Sequence, residues 1–144
     1  MKRLTVLMLV FLAALAAGCA SAPTQERPDR VVYHFSEAGE QPVRGMQYIR
    51  NHLEANPKAK IVVVTHAAGV DFLMKGAKTE RGNAYLTMIE DLELLDVKFF
   101  VCEITLRERN LRRDQFVEQA AFVRSGVAEI ARLQNREGYS YLKP

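Results

Sequence analysis

Apolar residues form continuous runs in several parts of the chain, without the alternation of apolar and polar positions that a half-exposed strand shows. These runs predict three buried strands at residues 31–35, 61–65 and 99–104, and two further strands at residues 120–123 and 139–142. Continuous apolar strands of this kind are typical of a parallel sheet that is covered on both faces.

Between these runs, apolar residues recur with the period of an α-helix. Pro42 fits the first turn of a first helix, and Ser125 is a candidate amino-terminal cap for a last one. Strands that alternate with helices over short connections predict an α/β fold, a three-layer sandwich around a mainly parallel sheet of about five strands. Three stripes predict the helix faces that pack on the sheet: Met46, Ile49 and Leu53; Tyr85, Met88, Ile89, Leu92 and Leu95; and Val127, Ile130, Ala131 and Gln134.

The first residues have the pattern of an export signal. A positive start at Lys2 and Arg3 is followed by an apolar run and by small residues directly before Cys19. This ending resembles the bacterial lipobox, although Ala16 stands where an aliphatic residue is usual. The pattern predicts a signal peptide at residues 1–18 and a lipid on Cys19. A permanent membrane-spanning helix is the weaker alternative, because it needs about 20 apolar residues and this run is shorter.

The predicted anchor also bears on location and domain organisation. Ala20, rather than an acidic residue, follows Cys19, which resembles the pattern of lipoproteins sorted to the outer membrane. We therefore expect a protein of the bacterial cell envelope, lipid-anchored at the periplasmic face of the outer membrane. Residues 19–29 are polar and interrupted by proline, which predicts a flexible tether, and residues 30–144 form one domain of common size.

The charge balance argues against one class of partner. The formal net charge of +3 includes Lys2 and Arg3 of the predicted signal peptide, so the domain itself has no large basic excess. Basic and aromatic residues also do not interleave in the manner of single-strand-binding surfaces. We therefore expect no nucleic-acid partner.

Cys102 is the strongest candidate for chemistry. The chain has two cysteines, and a lipid on the sulfur of Cys19 leaves Cys102 as one unpaired thiol in an exported protein, where cysteines are normally paired or avoided. Cys102 lies near the end of the third predicted strand. The carboxyl ends of parallel strands line one edge of a sheet, where open α/β folds place their sites. The alternative is an inert buried cysteine that acts as a small hydrophobe.

Other polar residues are predicted at the same edge. His66 follows the second strand and is placed to orient or deprotonate the Cys102 thiol, unless it only hydrogen-bonds at a strand end. His34 lies inside the first strand and is the weaker candidate. Arg107 begins an arginine-rich segment, residues 107–114, whose charge favours thiolate and attracts an anionic sulfur donor; a solvated turn of mixed charge is the alternative. No residues have the spacing of metal ligands, so we expect no metal and no cofactor.

Three parts of the sequence resemble the DsrE/DsrF-like family: His-Ala-Ala-Gly at residues 66–69, Val-Cys-Glu-Ile-Thr-Leu-Arg at residues 101–107, and the carboxyl-terminal residues 125–144. The resemblance covers residues 31–144. It implies a compact α/β sandwich that assembles into homotrimers or homohexamers. In sulfur-relay members of the family, a cysteine after a central strand carries sulfur as a persulfide, and Cys102 occupies that place.

Two functional hypotheses follow. The first is an envelope-anchored sulfur carrier or sulfurtransferase-like protein that uses Cys102 as a transient persulfide, with His66 and Arg107 as helpers. Its partners are then a small sulfur-containing donor or an acceptor thiol protein, and the membrane through the lipid on Cys19. The second is a non-catalytic oligomeric binding or assembly module of the envelope, in which Cys102 is buried and inert. The hypotheses differ in whether the thiol reaches solvent.

Overall fold

The computed structural model describes residues 28–144, so the predicted signal peptide, Cys19 and most of the predicted tether lie outside the described residues. Five strands form within this part: β1 (Arg30–Phe35), β2 (Lys60–Thr65), β3 (Lys98–Cys102), β4 (Ala120–Val123) and β5 (Ser140–Leu142). Four α-helices accompany them: α1 (Glu40–Ala55), α2 (Tyr85–Glu93), α3 (Glu103–Glu108) and α4 (Gly126–Glu137). Two 3₁₀ segments lie at Ala67–Leu73 and Arg113–Gln115. None of these described helices has the length and apolar character that crossing a membrane requires.

The strands form one sheet in the order β4-β3-β2-β1-β5, and every neighbouring pair is parallel. This confirms the predicted α/β fold class and the number of strands, with a sheet that is wholly rather than mainly parallel. Parallel neighbours need crossover connections, and the helices between successive strands provide them. The carboxyl ends of all five strands therefore lie at one edge of the sheet.

Helices cover both faces of the sheet. The larger core cluster lies under α1 and α2, and a smaller cluster lies under α4. The sandwich therefore has three layers, as predicted, and the alternation of side chains along each strand decides which layer a residue joins. Representative members of the larger cluster are Val31, Tyr33, Phe35, Ile49, Val63, Ile89 and Phe99, and the smaller cluster is built on Val32, Val62, Val64, Ile130 and Leu133.

The third strand is shorter than its sequence predicts. It ends at Cys102 rather than at residue 104, because Glu103 begins α3 directly after it. The helical turn buries both Thr105 and Leu106. In an extended strand these two neighbouring side chains would point to opposite faces of the sheet. The thiol consequently lies at a sharp transition from strand to helix.

The last helix begins as the sequence predicts but is turned differently about its axis. The Ser125 hydroxyl caps α4 by accepting a backbone N–H of the first turn, which confirms the predicted cap. Gly126 packs directly on the sheet, so Ile130 and Leu133 follow it on the buried side. Val127, expected in the apolar stripe, is instead 64% exposed. Gly126 faces the sheet, so the next residue of the helix is turned away from it.

Candidate functional site

Cys102 is the last residue of β3, and its side chain points toward α4. A Cβ atom added to Gly126 would lie 3.3 Å from the Cys102 Cβ, so the amino-terminal end of α4 rests on the cysteine. The residue is 4% exposed. Cys102 lies at the carboxyl edge of the sheet, as the sequence predicts. Its thiol is much less accessible to solvent than a sulfur carrier requires, unless the structure opens locally.

His66 lies beside Cys102 on the neighbouring strand. Its backbone continues β2 in extended conformation, and its N–H donates to the Phe35 carbonyl at 3.2 Å. Because Thr65 is in register with Val101, the next residues, His66 and Cys102, occupy facing positions. Neighbouring strands are about 4.8 Å apart, so this register places the two side chains in one row on the α4 face. The sequence predicted both residues at this edge and left open whether their side chains touch.

The ring of His66 stacks on His34, with 4.7 Å between the ring centroids and an interplanar angle of 30°. The Nδ1 atom of His34 shares a hydrogen bond of 2.7 Å with the Tyr141 hydroxyl, while its Nε2 atom is buried without a partner among the described residues. His34 is therefore part of the site, although the sequence interpretation ranked it as weak. The missed signal is the two-residue period of a strand. The register that pairs Phe35 with Thr65 puts Ser36 beside His66, and His34 is on the same face as Ser36.

Burial and positive charge keep both rings neutral. Burial, the proximity of His66 and the charge of Lys143 lower the pKa of His34 to about 4. Burial and then Lys143 lower the pKa of His66 below its usual value of 6.5. Lys143 itself is paired with Glu37 at 3.0 Å. At neutral pH each imidazole consequently retains a nitrogen that can accept a proton.

The segment that follows His66 is fixed across the sheet edge. The Ala67 N–H donates to the Thr105 hydroxyl at 2.9 Å, and the Arg109 guanidinium donates to the Ala67 carbonyl at 2.9 Å. A Cβ atom on Gly69 would lie 2.3 Å from the Phe35 carbonyl oxygen, so only glycine permits this crossing over β1. These contacts connect the position of His66 to α3, the helix that begins directly after Cys102.

Arg107 lies on the other side of Cys102 from His66. Its exposed side chain lines a cleft of about 730 Å³ between α3, β4 and α4. Cys102 does not line this cleft, but Glu103, Val123 and Ser125 do. The thiol thus lies between a neutral histidine pair and a cleft that contains Arg107.

Within residues 28–144, no group of three or more His, Cys, Asp or Glu side chains is arranged to hold a metal ion. Cys102 is a free thiol, and it is the one cysteine in this part of the chain. The reactive groups that the structure brings to this edge of the sheet are the Cys102 thiol and the His66 imidazole.

Comparison with known proteins agrees with the fold. The sequence model described as the DsrE/DsrF-like family matches residues 11–144. A solved structure of a protein of unknown function from Methanobacterium thermoautotrophicum is 31% identical, covers 81% of this chain and 99% of its own, and superposes with a TM-score of 0.72. The ychN protein of E. coli, at 14% identity with the same coverages and a TM-score of 0.68, shares the fold. No curated protein matches the chain.

Proposed function

Since the chain belongs to the DsrE/DsrF-like family, in which sulfur relay is a frequent role, we propose that it is a sulfur carrier that holds one sulfur atom on Cys102 as a persulfide. The observation that supports this most is the position of the thiol. Cys102 ends a central parallel strand, faces His66 across the register, and lies under the amino terminus of α4. His66 supplies a base for the thiol proton, and the helix end brings partial positive charge close to the sulfur.

The reaction needs one protein cysteine and a base. Neutral His66 takes the Cys102 proton, and the thiolate then attacks the outer sulfur of a sulfane donor. The donor's sulfur–sulfur bond breaks, the leaving group departs with the bonding electron pair, and Cys102 carries the persulfide. An acceptor thiolate next attacks the outer sulfur, which transfers the sulfur atom and releases the Cys102 thiolate.

Access to the thiol is the physical condition on this proposal. Because Cys102 is 4% exposed and Gly126 lies against it, a donor reaches the sulfur only when the first turn of α4 moves away from β3. Local opening of this kind costs less than global unfolding and is common at helix ends. Loading is consequently limited by opening as well as by chemistry.

Mass spectrometry of the intact domain tests the proposal. The protein is incubated with inorganic polysulfide and weighed after removal of the excess. We expect the wild type to gain the mass of one sulfur atom and Cys102→Ser to gain none. A wild type without added sulfur, or equal addition to both proteins, contradicts the proposal.

A second function is favoured by one observation, the 4% exposure of Cys102. In a non-catalytic binding or assembly module, this cysteine only fills space beneath α4. Native protein would then react with an alkylating reagent no faster than global unfolding allows. A sulfur carrier would instead be alkylated through local opening, at a rate that is insensitive to changes in global stability. Alkylation of wild type in low concentrations of urea separates these cases.

We also propose that the protein is lipid-anchored in the cell envelope through Cys19. The proposal is supported by the positive start, the apolar run and the small residues before Cys19. In a bacterium with two membranes, the wild type should incorporate labelled palmitate and fractionate with the outer membrane, while Cys19→Ser should do neither. Equal behaviour of the two proteins would contradict the anchor.

A further inference from the structure

The cleft between α3, β4 and α4 contains two arginines that have no carboxylate partner within the described residues. Arg107 projects from α3 and Arg124 from the turn that precedes α4, and both side chains are exposed. An unpaired guanidinium has five N–H donors in a planar fork that fits the oxygens of an oxyanion. Two of them in the lining of one cleft give positive charge that no carboxylate within residues 28–144 pairs with.

The carboxylates of the cleft wall are already engaged. Glu103 pairs with Arg113, whose guanidinium also lies over the Phe122 ring at 5.1 Å. Glu129 pairs with Arg132 at 2.6 Å, and both residues line the cleft. Because Glu103 and Glu129 are paired with Arg113 and Arg132, neither carboxylate neutralises Arg107 or Arg124.

Backbone groups add to this preference. Ser125 caps α4, a helix of 12 residues, and Ser125 itself lines the cleft. The first N–H groups of a helix have no intrahelical acceptor and carry partial positive charge. The Ser125 hydroxyl accepts one of them, that of Ala128, and this end of α4 borders the cleft beside Cys102.

The cleft and the thiol share a wall. Val123 is the register partner of Cys102, and Glu103 follows Cys102 in the chain. Gly126, the residue after Ser125, is the group that rests on the Cys102 side chain. A movement of the first turn of α4 away from β3 would therefore remove part of the wall between the thiol and the cleft.

We propose that this cleft binds a sulfur oxyanion of the thiosulfate class, held by Arg107 and Arg124, and that the bound anion is the sulfur donor to Cys102. The inference rests on the proposed function and names its donor. The Cys102 thiolate attacks the outer sulfur of thiosulfate, a new sulfur–sulfur bond forms on the cysteine, and the bond within thiosulfate breaks. Sulfite leaves with the bonding electron pair, so no external oxidant is needed.

Calorimetric titration with thiosulfate tests binding apart from transfer. The titrated protein is Cys102→Ser, in which no sulfur can be accepted. We expect saturable binding of thiosulfate. Adding Arg107→Gln or Arg124→Gln should weaken this binding roughly tenfold, because each substitution removes one charge-assisted hydrogen bond. Arg136→Gln is the matched control, because it removes an exposed arginine of α4 outside the cleft, and it should leave binding unchanged. No binding, or equal weakening in the control, overturns the inference.

Two further measurements separate this inference from the function on which it rests. Sulfate, which has the oxyanion but no transferable sulfur, should compete for the cleft, and failure to compete overturns the assigned mode of recognition. Wild type with thiosulfate should release one sulfite for each sulfur that Cys102 gains. The donor assignment is overturned if polysulfide loads Cys102 but thiosulfate either does not bind or binds without release of sulfite. The proposed sulfur carrier is not contradicted by that result.

Discussion

Burial of the stacked imidazoles makes protonation of His34 and His66 unfavourable in the folded protein. An imidazolium at His34 would lie against a second ring and near the Lys143 ammonium, with Nε2 away from water. Its pKa of about 4 follows from this environment, burial first. The neutral ring also holds the position of His66, because Tyr141 fixes one side of His34 and His66 stacks on the other.

The pH dependence of stability should report this pair. Between pH 6.5 and about 4, unfolded His34 binds a proton and folded His34 does not, so the free energy of unfolding falls as the pH falls. One proton contributes at most about 1.4 kcal/mol per pH unit, and we expect less because His34 is only partly buried. Urea denaturation from pH 4.5 to 7.5 should show a steeper loss in wild type than in His34→Gln. His52→Gln, on the opposite layer of the sandwich, is the control, and equal slopes for wild type and His34→Gln would refute the assignment.

At the residue scale, the sequence predicted position better than accessibility. The end of a strand places a side chain at the sheet edge, so Cys102 and His66 could be expected near each other. The burial of Cys102 depends on Gly126, a residue distant in sequence whose missing side chain allows α4 to rest on the thiol. Such a packing contact has no local signal in the sequence.

At the scale of elements, the first turn of α4 acts as the cover of the thiol. A Cβ on Gly126 would lie 3.3 Å from both the Cys102 Cβ and the Thr65 carbonyl oxygen, which is tight but not prohibitive. A larger side chain at this position cannot be accommodated without moving the helix. The exposure of Cys102 is therefore controlled by the distance between α4 and β3.

A valine at this position tests that control. We expect Gly126→Val to lower the free energy of unfolding by about 1–3 kcal/mol, the usual cost of overpacking. We also expect faster alkylation of Cys102, because the displaced helix uncovers it. Ala131→Val, at an exposed position of the same helix, controls for the helix propensity of valine and should cost about 0.5 kcal/mol. Destabilisation without faster alkylation would show that α4 does not gate the thiol.

The boundary between β3 and α3 shows where element prediction failed. The sequence after Cys102 contains Ile104 and Thr105, β-branched residues that favour a strand. The structure instead turns Thr105 inward, where its hydroxyl accepts the Ala67 N–H. A contact between segments 38 residues apart thus overrides the local preference.

At the scale of the whole molecule, the fold was predictable because several signals agreed. Unbroken apolar strands required cover on both faces, and the alternation with helices required parallel crossovers. The five-stranded parallel sheet satisfies both requirements. Function was less predictable, since the same sheet accommodates either a reactive or an inert cysteine and only local opening distinguishes them.

Assembly is a further property of the whole molecule. We propose that the domain forms a homotrimer or homohexamer, as its family resemblance implies. Light scattering on the purified domain from residue 28 onward should give three or six times the chain mass, unchanged over a tenfold dilution. A monomer at all concentrations would contradict this proposal.

Discharge of loaded protein tests the central claim most directly. Protein that carries one added sulfur on Cys102 is mixed with a small acceptor thiol, and both are weighed over time. The account predicts that the protein returns to its original mass while the acceptor gains one sulfur atom, and that Cys102→Ser, treated identically, delivers none. Sulfur that remains on the wild type, or an acceptor that gains as much sulfur from Cys102→Ser, would contradict the carrier.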